Sequence, residues 1–188
     1  MGGGRSGGRS RTWWTAGLTL VVGLVGCESS KETDPVPSAS NAPQVGAVPA
    51  TPGCPAGFVG ARIWAPGRED TKISIVNASG HANRGAVVAS ELRTFRFEVL
   101  AVTQAPEVHD GVAVLRYGPQ TVGAAWNLQA FFPDGVTLQF ELRRVDDVVE
   151  VAIGKRFSQL PDITEVNQAT AKLPLPTAPP GTCPIPPI

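Results

Sequence analysis

From Lys72 onward, apolar and polar positions alternate in a way that predicts a run of short elements. Lys72-Ile73-Ser74-Ile75-Val76 reads as a strand, and Asn77-Ala78-Ser79-Gly80 as the turn that ends it. Residues 83–95 predict a helix, because Val88, Leu92 and Phe95 recur at i, i+4 and i+7. Residues 97–103 and 112–117 read as two further strands. Gly118-Pro119 then breaks the chain, and residues 120–132 predict a second helix carrying Trp126, Leu128 and Phe131. After the turn Pro133-Asp134-Gly135, Val136, Leu138, Phe140 and Leu142 alternate with Thr137, Gln139, Glu141 and Arg143, the clearest strand in the chain. Asp146-Asp147 reads as a hairpin turn into Val149, Val151 and Ile153, and residues 163–171 as a short helix beside the sheet.

The order is therefore β-α-β-β-α-β-β with an appended C-terminal helix. Alternating, half-buried strands predict a sheet covered on one face, so the fold class is α+β, a two-layer sandwich. Prolines bound it. Seven of the 18 fall between Pro35 and Pro66 and seven between Pro174 and Pro187. Residues 27–52 read as an extended tether, and residues 53–188 as one domain with its core at 72–157. The tail from Lys172 onward is read as unable to continue a helix or enter a sheet.

The N-terminus changes the picture by giving an address. Arg5, Arg9 and Arg11 precede an apolar run that stops at Cys27, the layout of a secretory signal over residues 1–26. That run is shorter than the roughly 20 residues a spanning helix needs. Leu24-Val25-Gly26-Cys27 resembles a lipobox, which makes Cys27 the lipidation site and places the protein on the outer face of the cell membrane. An uncleaved anchor, or cleavage elsewhere, would also put the domain outside the cytoplasm. With Cys27 assigned to lipid, Cys54 and Cys183 remain, one on each flank of the folded region. An oxidising compartment permits a disulfide between them; the alternative is two free thiols.

Charge excludes one class of partner. Without the signal the chain has 13 basic and 16 acidic groups, a net charge of −3, and no basic run. Nucleic acid is therefore not an expected partner. The membrane is reached through the lipid rather than through a polybasic patch.

KISIVNASG, VAVLRYGP and VVEVAIGKRF, in that order and spacing, resemble the LytR C-terminal domain family. In that family a strand runs into an Asn-x-Ser/Thr-Gly turn, a helix leads to a Gly-Phe pair, and an apolar strand ends in Gly-x-x-Phe. The chain looks most like the stand-alone envelope integrity proteins of actinobacteria. Arg96 departs from the pattern, standing where the family usually has Gly before Phe97. The resemblance implies a non-catalytic module of the cell envelope, binding wall glycan or serving as a scaffold for envelope assembly proteins. The phosphotransferase domain that precedes many family members is not read upstream of Lys72.

Downstream of the signal segment the sequence carries no G-x-S-x-G, S-x-x-K or H-E-x-x-H. Neither a metal nor a cofactor is expected. His109-Asp110 reads as an exposed turn, and Asp146-Asp147 as a solvated one. One constellation stands out as a candidate ligand-binding site: Asn77, Ser79, Gly80 and Arg84 at the first helix start, with Tyr117, Gly118 and Gln120 at the second. If the first and third strands of this series are adjacent, the two starts converge, and their free N–H groups favour a sugar phosphate or carboxylate. The competing reading makes the first turn a tight turn and helix cap.

Overall fold

The computed structural model describes residues 53–186. Cys27, the signal segment and the tether of residues 27–52 lie outside the described residues. In chain order the elements are β1 (Val59–Ala61), β2 (Lys72–Asn77), α1 (Arg84–Thr94), β3 (Glu98–Gln104), β4 (Ala113–Tyr117), a 3-10 turn (Pro119–Thr121), α2 (Val122–Gln129), β5 (Val136–Phe140), β6 (Val148–Ile153), α3 (Ile163–Lys172) and β7 (Thr182–Pro184). The α+β class and the β-α-β-β-α-β-β order are borne out, with β1 and β7 added at the flanks.

The main sheet has the order β3-β2-β6-β4-β5. All its pairs are parallel except β4 with β6. Strand β6, VVEVAI, takes the centre because Val149, Val151 and Ile153 are fully buried on one face and Ala152 nearly so on the other. This corrects the hairpin expected at Asp146-Asp147: β5 and β6 are not neighbours, since β4 lies between them. Asp146 instead turns the chain into β6 by accepting from the Val148 N–H at 3.3 Å and from Arg144 Nε at 2.9 Å. At the foot of β2, Lys72 pairs with Asp147 at 2.8 Å. That hydrogen bond raises the lysine pKa and lowers that of the carboxylate.

One core joins both helices to one face of the sheet. Val88, Ala89 and Leu92 of α1, with Ala125 and Leu128 of α2, pack on Ile73, Ile75, Leu115, Val149 and Val151. Phe131 is fully buried and receives Phe95 and Phe97 edge-on, at centroid distances of 5.1 and 5.0 Å. On the other face Arg116 bridges its cross-strand neighbours, pairing with Glu150 on β6 and donating to Gln139 on β5 at 2.9 Å.

The flanks meet. Cys54 and Cys183 form the expected disulfide, with a Cα–Cα distance of 5.9 Å. The tail does enter a sheet, contrary to the reading from its prolines. Strand β7 pairs with β1 in parallel, Gly60 opposite Cys183. The Val59 N–H donates to Gly181 O at 3.1 Å, and the Ile185 N–H to Ala61 O at 3.0 Å. Pro184 is tolerated because this is a two-stranded edge on which its missing N–H is not needed. Upstream, the Trp126 indole N–H holds the tail against α2 by donating to Pro174 O at 2.6 Å.

Candidate functional site

The two helix-start turns do not come together. Strand β6 separates β2 from β4, and β4 runs antiparallel to it while β2 runs parallel. Both Asn77 and Ala113 align with Ile153, so the end of β2 lies level with the beginning of β4. Tyr117 is four residues further along, roughly 13 Å at the ordinary strand rise. The convergence expected from adjacent first and third strands is thus corrected by the insertion of β6.

Each turn also uses its polar groups internally. Asn77 and Ser79 are 4% and 1% exposed. The Asn77 Oδ1 accepts from the Ser79 hydroxyl at 2.7 Å and the Ser79 N–H at 3.3 Å. Its Nδ2 donates to His81 O at 2.9 Å and Gln104 Oε1 at 3.0 Å, and the His81 N–H donates to Ser79 Oγ at 3.1 Å. Gly80 supplies the left-handed residue that the turn requires, at φ 74°. The turn does not cap α1, whose N-cap is Asn83 without a side-chain cap bond. Arg84 donates to Phe157 O at 2.6 Å, tying the helix start to the segment after β6.

The second turn is enclosed by backbone. Gly118 donates to Thr121 Oγ1 at 3.1 Å, and a Cβ on Gly118 would collide with Arg144 O. Gly123 donates to Arg62 O at 2.9 Å, and a Cβ there would collide with Trp64 O. Gln120 is half-buried beside them. Tyr117 lies tilted on Phe140 at 5.6 Å, and its burial raises the phenol pKa.

His109 is not the exposed turn residue expected. Its N–H donates to Ala78 O at 2.8 Å, and its Nε2 is buried without a partner. The ring fits because Gly111 and Gly154 beside it carry no Cβ. Among the described residues, no group of three or more His, Cys, Asp and Glu is placed to hold a metal ion.

A different feature has the dimensions of a ligand site. A cleft of about 660 Å³ opens between the end of α2, the turn into β5 and one face of α3. Its apolar floor includes Val136, Ala169 and Leu173, each half-buried against the core. Its polar wall includes Gln129, Gln159, Gln168, Asp134 and Lys172. Helix α3 is set in place by a reciprocal cap: Asp162 Oδ1 accepts from the Glu165 N–H at 2.8 Å, and the Asp162 N–H donates to Glu165 Oε2 at 2.9 Å. Reading motif by motif missed this cleft. The available signal was the spacing of Glu165, Gln168, Ala169 and Lys172, which places all four on one helical face.

Residues 70–157 match the family model described as LytR cell envelope-related transcriptional attenuator, LytR_C. No curated protein matches the chain. Among solved structures, the soluble domain of a conserved hypothetical secreted protein from Mycobacterium marinum is similar, at 23% identity and a TM-score of 0.49. That likeness covers 58% of this chain and 89% of the other. That family is described as cell-envelope-related, and the match to it is confined to residues 70–157 of this chain.

Proposed function

We propose that this protein is a member of the LytR C-terminal domain family, a non-catalytic module of the cell envelope held to the outer face of the membrane by lipid on Cys27, and that it binds wall glycan. The observation that carries the reading is a match to this family over residues 70–157 in a domain closed at both flanks by the Cys54–Cys183 disulfide. A structural disulfide fits an oxidising compartment outside the cytoplasm. The lipobox-like Leu24-Val25-Gly26-Cys27 supplies the anchor, and residues 27–52 the reach from membrane to wall. In this role the domain contributes by holding wall polymer near the membrane, so its work is binding rather than turnover.

A scaffold for envelope assembly proteins, with no glycan contact, is the competing role. Photo-crosslinking of the intact lipoprotein in cells separates the two. Crosslinks to wall-derived saccharide support the glycan reading, and crosslinks confined to protein overturn it. Incorporation of labelled palmitate that Cys27→Ala abolishes tests the anchor independently.

A further inference from the structure

The cleft between α2, β5 and α3 has a chemistry that narrows what it would hold. At about 660 Å³ it falls within the range of small-molecule sites, roughly 300–1,000 Å³. The side-chain amides of Gln129, Gln159 and Gln168 make no hydrogen bond with any described residue, whereas the side chains of the Asn77 turn are fully engaged. Each free amide offers both a donor and an acceptor, and a sugar hydroxyl needs both from its surroundings. A carboxylate or an ammonium offers only one of them. The half-buried floor of Val136, Ala169 and Leu173 offers an apolar surface for the C–H face of a sugar ring.

Charge decides between saccharide classes. The lining carries Asp134 and Glu165 against the single cation Lys172, and Glu165 is already engaged in the α3 cap. With a net charge of −1, such a lining has no cationic clamp for polymers rich in phosphate or carboxylate. We infer that this cleft is the polymer-binding site of the domain and that its ligand is an uncharged, hydroxyl-rich glycan strand. The inference rests on the wall-binding reading above and goes beyond it in naming the site and the ligand class.

The test uses the full-length protein in detergent with its disulfide intact. Three probes are titrated by calorimetry: an N-acetylglucosamine hexamer, a soluble neutral galactan and poly(glycerol phosphate). Saturable binding of at least one neutral probe is expected, weakened at least tenfold by Gln129→Ala with Gln168→Ala. Both positions line a solvent-facing cleft, so circular dichroism of the double variant should match the parent. Raising salt from 50 to 300 mM should leave the affinity within twofold, because a neutral ligand has no charge to screen. Neutral binding that the double variant leaves intact overturns the site. Binding of poly(glycerol phosphate) alone overturns the ligand class, as does pelleting on whole wall without any binding of the neutral probes. In both cases the wall-binding reading survives. Failure to bind whole wall as well removes both.

Discussion

The Phe97 N–H donates to Leu92 O at 3.1 Å, six residues closing back on one, while the Arg96 N–H donates to Arg93 O at 2.9 Å. Together these bonds make a Schellman end to α1, with Arg96 as its left-handed residue at φ 71°. The turn brings both Phe95 and Phe97 against Phe131, so the core depends on it. Glycine is the residue that adopts this conformation without steric cost, and arginine does so at roughly 1–2 kcal/mol. Against that stands the greater freedom of glycine in the unfolded chain, about 0.4–1 kcal/mol. Arg96→Gly should therefore raise stability by about 0.5–1 kcal/mol, read as a higher urea midpoint at unchanged slope. A lower midpoint would mean that the arginine side chain contributes more than its backbone strain costs.

Gly154 ends β6 where a Cβ would collide with the carbonyl of Gly111. Its N–H donates to Val112 O at 2.8 Å, so the strand end cannot retreat without losing that bond. Gly154→Ala should destabilise by about 1–3 kcal/mol, the usual cost of overpacking. Thermal unfolding followed by circular dichroism checks it.

The disulfide closes a loop across a sequence separation of 129 residues. In the chain-entropy model a loop of that length contributes about 4–5 kcal/mol. Paired Cys54→Ser and Cys183→Ser substitutions should lower stability by about that amount. In hydrogen exchange, protection should fall first at β1 and β7, which hold each other, while β2 and β6 stay protected by their neighbours in the main sheet. Uniform loss of protection across both sheets would contradict this order.

The Lys72–Asp147 pair sets a window of pH. The Asp147 carboxyl is lowered by its bond to Lys72, so its contribution is complete above the ordinary carboxylate value of ~4 and is lost as pH falls through the depressed value. The Lys72 ammonium is raised by the same bond, so its contribution is complete below ~10.4 and is lost as pH rises through the elevated value. Both groups are largely exposed, so the effect is small and screened by salt. The melting-temperature difference between the protein and its Asp147→Asn variant should be constant from pH 5 to 9 and shrink in acid. A difference that grows on acidification would contradict the pairing.

How far this could be read in advance depends on the range of the physics. Strand β2, its Asn77–Gly80 turn and helix α1 were legible because alternation, turn chemistry and helical spacing act between near neighbours in the chain. The place of β6 was not. Strand order depends on which strand can bury both faces between two partners, and the near-continuous apolar run of VVEVAI shows this only once set beside the half-polar VTLQF of β5. The pairing of β1 with β7 escaped for the same reason, since three residues carry no period and the partner lies far along the chain. The candidate site has the same limit: each turn is legible as a turn, but their convergence needs a neighbour relation that β6 prevents. The cleft was hidden because its side chains come from three separate segments, and only the α3 face shows a local spacing.

Whether the domain binds wall from the outer face of the membrane is decided by co-sedimentation of the full-length protein with purified bacterial cell wall. Saturable pelleting that soluble wall polymer competes away is the predicted result. Protein that stays in the supernatant at every wall concentration would contradict it and turn the search to a protein partner.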